Sequence, residues 1–147
     1  MKNTILIFSA VASIFLAACT NSEHKTAPLE TTSAVAKQNR LEVVCFHGTR
    51  QCETCINMKT NTKTALDKYF SAQLIDSSIV FSIVDVDDVK NEQVAEKFQA
   101  TGTALMINKV VNGRDSIIDW SDFAFEKANE ESTYISELKT KIEAVLK

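Results

Sequence analysis

Leu41-Glu42-Val43-Val44-Cys45-Phe46-His47-Gly48-Thr49-Arg50-Gln51-Cys52-Glu53-Thr54-Cys55 holds the change of period on which the fold turns. Leu41 to Phe46 is short, apolar and rich in β-branched residues, the pattern of a strand. His47 to Gln51 reads as a loop. From Cys52 onward, Cys55, Met58, Thr62, Ala65/Leu66 and Tyr69 recur at three- and four-residue spacing. That period predicts an amphipathic helix, which should end near Leu74. A Cys-x-x-Cys pair therefore falls at a strand-to-helix junction.

Working outward, Ile79 to Val86 is nearly continuous in apolar residues, as expected of a strand buried on both faces. Lys90 to Gln99 carries Val94, Ala95 and Phe98 and predicts a second helix. Thr103 to Val111 predicts a strand, and Asn112-Gly113 is a strong two-residue hairpin signal. Asp115 to Trp120 should return antiparallel. Tyr134/Ile135, Leu138, Ile142 and Val145 predict a closing helix. The order β-α-β-α-β-β-α implies a right-handed parallel crossover first, then an antiparallel hairpin. This α/β succession, a mixed central sheet flanked by helices with Cys-x-x-Cys at the first strand-to-helix junction, resembles the thioredoxin fold.

Two cysteines at i and i+3 on a helix N-terminus lie on one face, close enough for a disulfide. The helix end offers unpaired N–H groups and a positive dipole end, and both favour thiolate. Cys52 is expected as the exposed attacking thiol. Cys55 falls on the buried stripe and is expected to resolve the mixed disulfide formed on Cys52. Arg50 adds positive potential and Glu53 opposes it. Other readings of the pair are a static structural disulfide, a metal or metalloid site, and inert thiols on a retained fold used only for docking. Zinc normally needs four ligands, and no second Cys-x-x-Cys or paired His is present.

The string Phe46-His47-Gly48-Thr49-Arg50-Gln51-Cys52-Glu53-Thr54-Cys55, with the acidic strand end Asp85-Val86-Asp87 after it, is similar to a family of thioredoxin-like bacterial proteins labelled "nitrophenyl compound nitroreductase subunit ArsF family". The likeness covers about Leu41 to Lys147. It implies an arsenic-operon or nitroreductase association. With no flavin fingerprint, the domain would act at most as an electron-transfer partner there.

Three features depart from ordinary thioredoxins. The Phe46–Cys52 loop looks one residue longer, the intervening dipeptide is Glu-Thr rather than Gly-Pro, and no proline precedes the third strand. Thioredoxins place a cis-proline there; here Thr103/Ala104 stand nearest, and a trans bond is expected because a non-proline cis bond costs about 3–4 kcal/mol. That strengthens the metalloid alternative, in which Cys45 joins Cys52 and Cys55 as a three-thiolate site for Cu(I) or an arsenite-type species. The plainer reading of Cys45 is a small core hydrophobe. His47 is either a proton shuttle for Cys55 or a loop residue bonded to backbone. Asp87 and Asp88 stand at a strand end, where ligands bind in open α/β sheets but where caps and turns are commoner. Trp120, Phe123 and Phe125 are read as core or a small exposed lip.

The 147 residues are about one domain's length, with 24% charged and 45% hydrophobic residues, near the globular average. This excludes a disordered chain and a multispan membrane protein. The formal charge of −3, with no Lys/Arg cluster, excludes a nucleic-acid binder. Lys2 and the apolar run to Leu16 read as a secretory signal, too short to span a membrane. Leu16-Ala17-Ala18-Cys19 looks like the lipobox of bacterial lipoproteins. Residues 1–18 are then a signal peptide, Cys19 is lipidated, and 19–39 form a Ser/Thr-rich tether holding Pro28 and His24, the latter with no metal role expected. The domain is 40–147. The expected location is extracytoplasmic, lipid-anchored on the periplasmic side, where disulfides persist. Thr20-Asn21-Ser22 lacks an acidic retention residue, which favours the outer membrane. With Cys19 consumed, three thiols remain, so at most one intramolecular disulfide forms. The expected activity is thiol–disulfide exchange with a protein partner, by a monomer that needs no cofactor beyond its dithiol.

Overall fold

The computed structural model describes residues 39–147; the expected signal peptide, the expected lipidation site Cys19 and the expected tether up to residue 38 lie outside the described residues. Among the described residues, four strands form one sheet in the order β2-β1-β3-β4. They are β1 (Arg40–His47), β2 (Ile79–Asp85), β3 (Ala104–Val111) and β4 (Arg114–Asp119). β1 pairs β2 in parallel and β3 antiparallel, and β4 returns beside β3. The helices are α1 (Glu53–Tyr69), α2 (Ser71–Ile75), α3 (Glu92–Phe98), α4 (Ser121–Lys127) and α5 (Glu131–Leu146). This mixed sheet with flanking helices is the thioredoxin-like α/β architecture. No helix of the described residues is long and apolar enough to cross a membrane.

β1 is central, and its apolar run serves both faces. Leu41, Val43 and Cys45 pack with Leu105 and Ile107 against Met58, Ala65 and Leu66 of α1, Ala124 of α4 and Tyr134, Leu138 and Ile142 of α5. Val44 and Phe46 pack on the other face with Val84, Met106 and Phe98 of α3. The Phe46 and Phe98 rings meet at 5.4 Å.

β2 departs from the expected two-sided burial. Among the described residues it is an edge strand, with Val80 37% and Ile83 46% exposed. The helix predicted to run on to Leu74 breaks at Phe70, whose φ of −130° leaves the helical region, and α2 is a separate short turn. Phe70 is buried, and its N–H still bonds the Leu66 carbonyl at 2.8 Å while its own carbonyl accepts the Leu74 N–H at 2.9 Å, so the break forfeits little backbone bonding. The predicted helix from Lys90 is a 3-10 turn at Val89–Asn91 followed by α3. Asn112 and Gly113 both take positive φ, 54° and 76°, as the two-residue hairpin requires. Of the aromatics after the hairpin, Trp120 is the N-cap of α4 and Phe123 and Phe125 lie within it, where no helix was expected. Trp120 and Phe123 pack on the core, while Phe125 is exposed.

Candidate functional site

The C-terminal ends of β1 and β2 and the start of β3 share one edge of the sheet, where His47 registers with Asp85 and Phe46 with Ala104. α1 starts from this edge. Cys52 is its N-cap, in extended conformation (φ −81°, ψ 166°), and Cys52 Sγ accepts the Cys55 N–H at 3.2 Å. Cys52 and Cys55 are joined by a disulfide, with Cα atoms 5.1 Å apart. Cys52 is exposed and Cys55 is 9% exposed. The amphipathic period of α1 causes this difference: Cys55 begins the buried stripe Met58, Asn61/Thr62, Ala65/Leu66, whereas Cys52 precedes it. The chemistry open to the pair is reversible. The bond presents one accessible sulfur at a helix N-terminus, where a thiolate is favoured on reduction.

The loop that carries Cys52 is pinned. The Thr49 N–H donates to Asp87 Oδ2 at 2.7 Å, across 38 residues of sequence, and the Val86 N–H donates to the His47 carbonyl at 2.8 Å. Gly48 permits this approach, because a Cβ there would stand 3.1 Å from Asp87 Oδ2. The Thr49 backbone N–H, then its side chain, hold the Asp87 carboxyl below the usual carboxylate range, with a smaller contribution from His47. Asp87 is therefore a loop clamp, and Asp88 caps the 3-10 turn through the Lys90 N–H at 3.0 Å. His47 Nδ1 lies 2.9 Å from the Gly48 carbonyl, as the backbone-bonded reading expects. Arg50 and Glu53 are both exposed, Glu53 in the first turn of α1.

Cys45 faces inward from β1 and is a member of the larger core cluster. Burial pushes its thiol up to about 12, against a hydrogen bond with the Thr62 side chain and the positive charge of Lys59. Thr62 Oγ1 in turn meets Tyr134 Oη at 2.7 Å. Thr62 lies seven residues past Cys55, about two helical turns along α1. Among the described residues no group of three His, Cys, Asp or Glu side chains is placed to hold a metal ion. The three-sulfur arrangement of Cys45, Cys52 and Cys55 is thus not assembled here; the helix carries Cys45's hydrogen-bond partner away from the disulfide.

Two groups near the pair had no place in the sequence reading. Lys59 Nζ donates to Gln51 Oε1 at 2.8 Å, and its i+4 spacing from Cys55 was the available signal. Asn129 accepts from Asn57 at 3.1 Å and donates to Thr54 Oγ1 at 3.4 Å, tying the segment after α4 to the first turns of α1. Those contacts span more than 70 residues and leave no local trace.

No family model matches the chain, and no curated protein matches it. Among solved structures it is similar to Fasciola hepatica thioredoxin, at 23% identity over 73% of this chain and 85% of that one, with a TM-score of 0.44. It is also similar to oxidised mitochondrial thioredoxin 3 of Saccharomyces cerevisiae, at 23% identity, 63% and 79% coverage and a TM-score of 0.40. Oxidised Plasmodium falciparum thioredoxin gives 23% identity, 67% and 86% coverage and a TM-score of 0.39. The strand order, the parallel β1–β2 pair and a Cys52–Cys55 disulfide where β1 feeds α1 give the chain a thioredoxin-like fold with a thiol–disulfide site.

Proposed function

We propose that this chain is a membrane-anchored, extracytoplasmic thiol–disulfide oxidoreductase. The observation that carries the proposal is the Cys52–Cys55 disulfide at the α1 N-terminus, with Cys52 exposed and Cys55 buried. In the reducing direction the Cys52 thiolate attacks a substrate disulfide, forming a mixed disulfide and releasing one substrate thiolate. The Cys55 thiolate then attacks Cys52 Sγ, closing the Cys52–Cys55 bond and releasing the second. Two electrons pass from the dithiol to the substrate, which takes up two protons. Oxidation of a substrate dithiol is the reverse. His47, Arg50 and Glu53 modulate the potential from the rim, and Asp87 holds the loop.

The partner is a protein thiol or disulfide on the periplasmic side of the membrane. The likeness of Phe46–Cys55 to the ArsF family supports an electron-transfer role beside a nitroreductase or an arsenic-related system. The lipobox at Leu16–Cys19 supports anchoring through Cys19.

A defined small disulfide tests the chemistry. After incubation with glutathione disulfide, reduced Cys55→Ser protein accumulates one glutathione on Cys52, and Cys52→Ser protein accumulates none on Cys55. Equal labelling of both cysteines would overturn the assigned roles. Incorporation of labelled palmitate, lost in Cys19→Ser, tests the anchor.

A further inference from the structure

We propose that Lys59 sets the redox poise of the Cys52–Cys55 pair by holding its ammonium beside the N-terminal end of α1. The inference rests on the reading of that pair as a redox dithiol. Lys59 is four residues past Cys55, so the two are neighbours on one helix face, with Cβ atoms about 5–6 Å apart. Side chains on a helix lean toward its N-terminus, which carries the Lys59 ammonium back toward the cysteines. The direct observation is its hydrogen bond to Gln51 Oε1 at 2.8 Å, since Gln51 is the residue immediately before Cys52. Lys59 and Gln51 are both half-buried, so this charge is less screened than the exposed Arg50 and Glu53. Its field also reaches inward, where it lowers the Cys45 thiol against the effect of burial. The ammonium is therefore held on the side chain of the residue that precedes Cys52.

The physical consequence has a sign. A disulfide is neutral, whereas the reduced pair carries a thiolate at the helix end. A fixed cation beside that thiolate stabilises the reduced form and makes the disulfide easier to reduce. The other charged groups at this end include Arg50, Glu53, His47, Asp85, Asp87 and Asp88; Asp87 is engaged with Thr49, Asp85 accepts the Asp87 N–H, Asp88 accepts the Lys90 N–H, and His47 is turned to the Gly48 carbonyl. Lys59 is a positioning residue here, because it acts on the sulfurs through its charge and through Gln51.

The test compares the full-length protein with its Lys59→Met and Lys59→Arg variants. Two quantities are read: the equilibrium constant of the dithiol with glutathione, and the pH dependence of Cys52 labelling by iodoacetamide in chemically reduced protein, followed by peptide mass. Lys59→Met is expected to make the disulfide roughly tenfold harder to reduce, about 30 mV for this two-electron couple, and to raise the pH at which Cys52 labels. Lys59→Arg is expected to restore both, and added salt to narrow the gap between Lys and Met. No shift in Lys59→Met, or an equal shift in Lys59→Arg, overturns the proposal. If the unmodified protein shows no reversible two-thiol step, the oxidoreductase reading fails. The labelling profile of reduced protein still reads the effect of Lys59 on Cys52 in that case.

Discussion

Replacing Thr62 by Val should destabilise the domain through one hydroxyl. Thr62 and Tyr134 are both fully buried, and their oxygens meet at 2.7 Å between α1 and α5. The same hydroxyl serves the Cys45 thiol. Valine fills the same volume, so no cavity forms and no repacking is needed. What changes is that the Tyr134 hydroxyl loses its partner where water cannot replace it. Leaving a buried polar group unsatisfied costs about 1–3 kcal/mol. For a domain of about this size, a loss near 2 kcal/mol lowers Tm by on the order of 10 °C. Adding Tyr134→Phe removes the orphaned hydroxyl and should recover most of that loss, because replacing both partners by apolar groups is nearly neutral. The assay is urea or thermal unfolding of the two single variants and the double. A Thr62→Val protein within about 0.5 kcal/mol of the parent, the usual scatter of surface changes, would refute the reasoning. So would a double variant in which the two losses simply add.

Three further outcomes are expected. Cys45→Ala should keep the two-thiol redox step at Cys52 and Cys55, because Cys45 belongs to the core; loss of the step on thiol counting would contradict this. Gly48→Ala should act like Asp87→Ala, since its Cβ would stand 3.1 Å from Asp87 Oδ2. Faster hydrogen exchange at the Thr49 amide is expected in both, with no further gain in the double variant. The Asp87 carboxyl is held below its ordinary value of 3.8 by the Thr49 backbone N–H. The bond is therefore fully present above that value and is lost only as pH falls below it through the folded-state pKa. The Thr49 amide resonance should move in that lower window, and a midpoint above 3.8 would show that the bond does not form.

Much of the fold was legible because the signals were local. The period of α1, the central apolar run of β1 and the Asn112-Gly113 turn each follow from residues adjacent in sequence. β2 was misjudged because Ile79–Val86 is apolar on both faces, and composition does not reveal that no strand pairs its outer edge among the described residues. The break at Phe70 was hidden for a similar reason. An apolar residue in helical period continues the pattern on paper, but here it turns into the core and ends the helix. The exposed and buried roles of Cys52 and Cys55 could be read from the helical stripe. The core placement of Cys45 matches its plainer sequence reading, but its hydrogen bond to Thr62 was not legible, because Thr62 lies on another element. The same holds for Asp87, whose bond to Thr49 joins the ends of two parallel strands.

The central claim is that Cys52 and Cys55 form an exchangeable disulfide and Cys45 stays outside it. It is tested most directly by equilibrating the full-length protein in glutathione buffers of set potential, then alkylating in denaturant and locating the label by peptide mass. The account predicts one reversible step in which Cys52 and Cys55 gain label together, while Cys45 is labelled at every potential. Label that never changes at Cys52 and Cys55, or arsenite or Cu(I) that protects all three cysteines together, would contradict it.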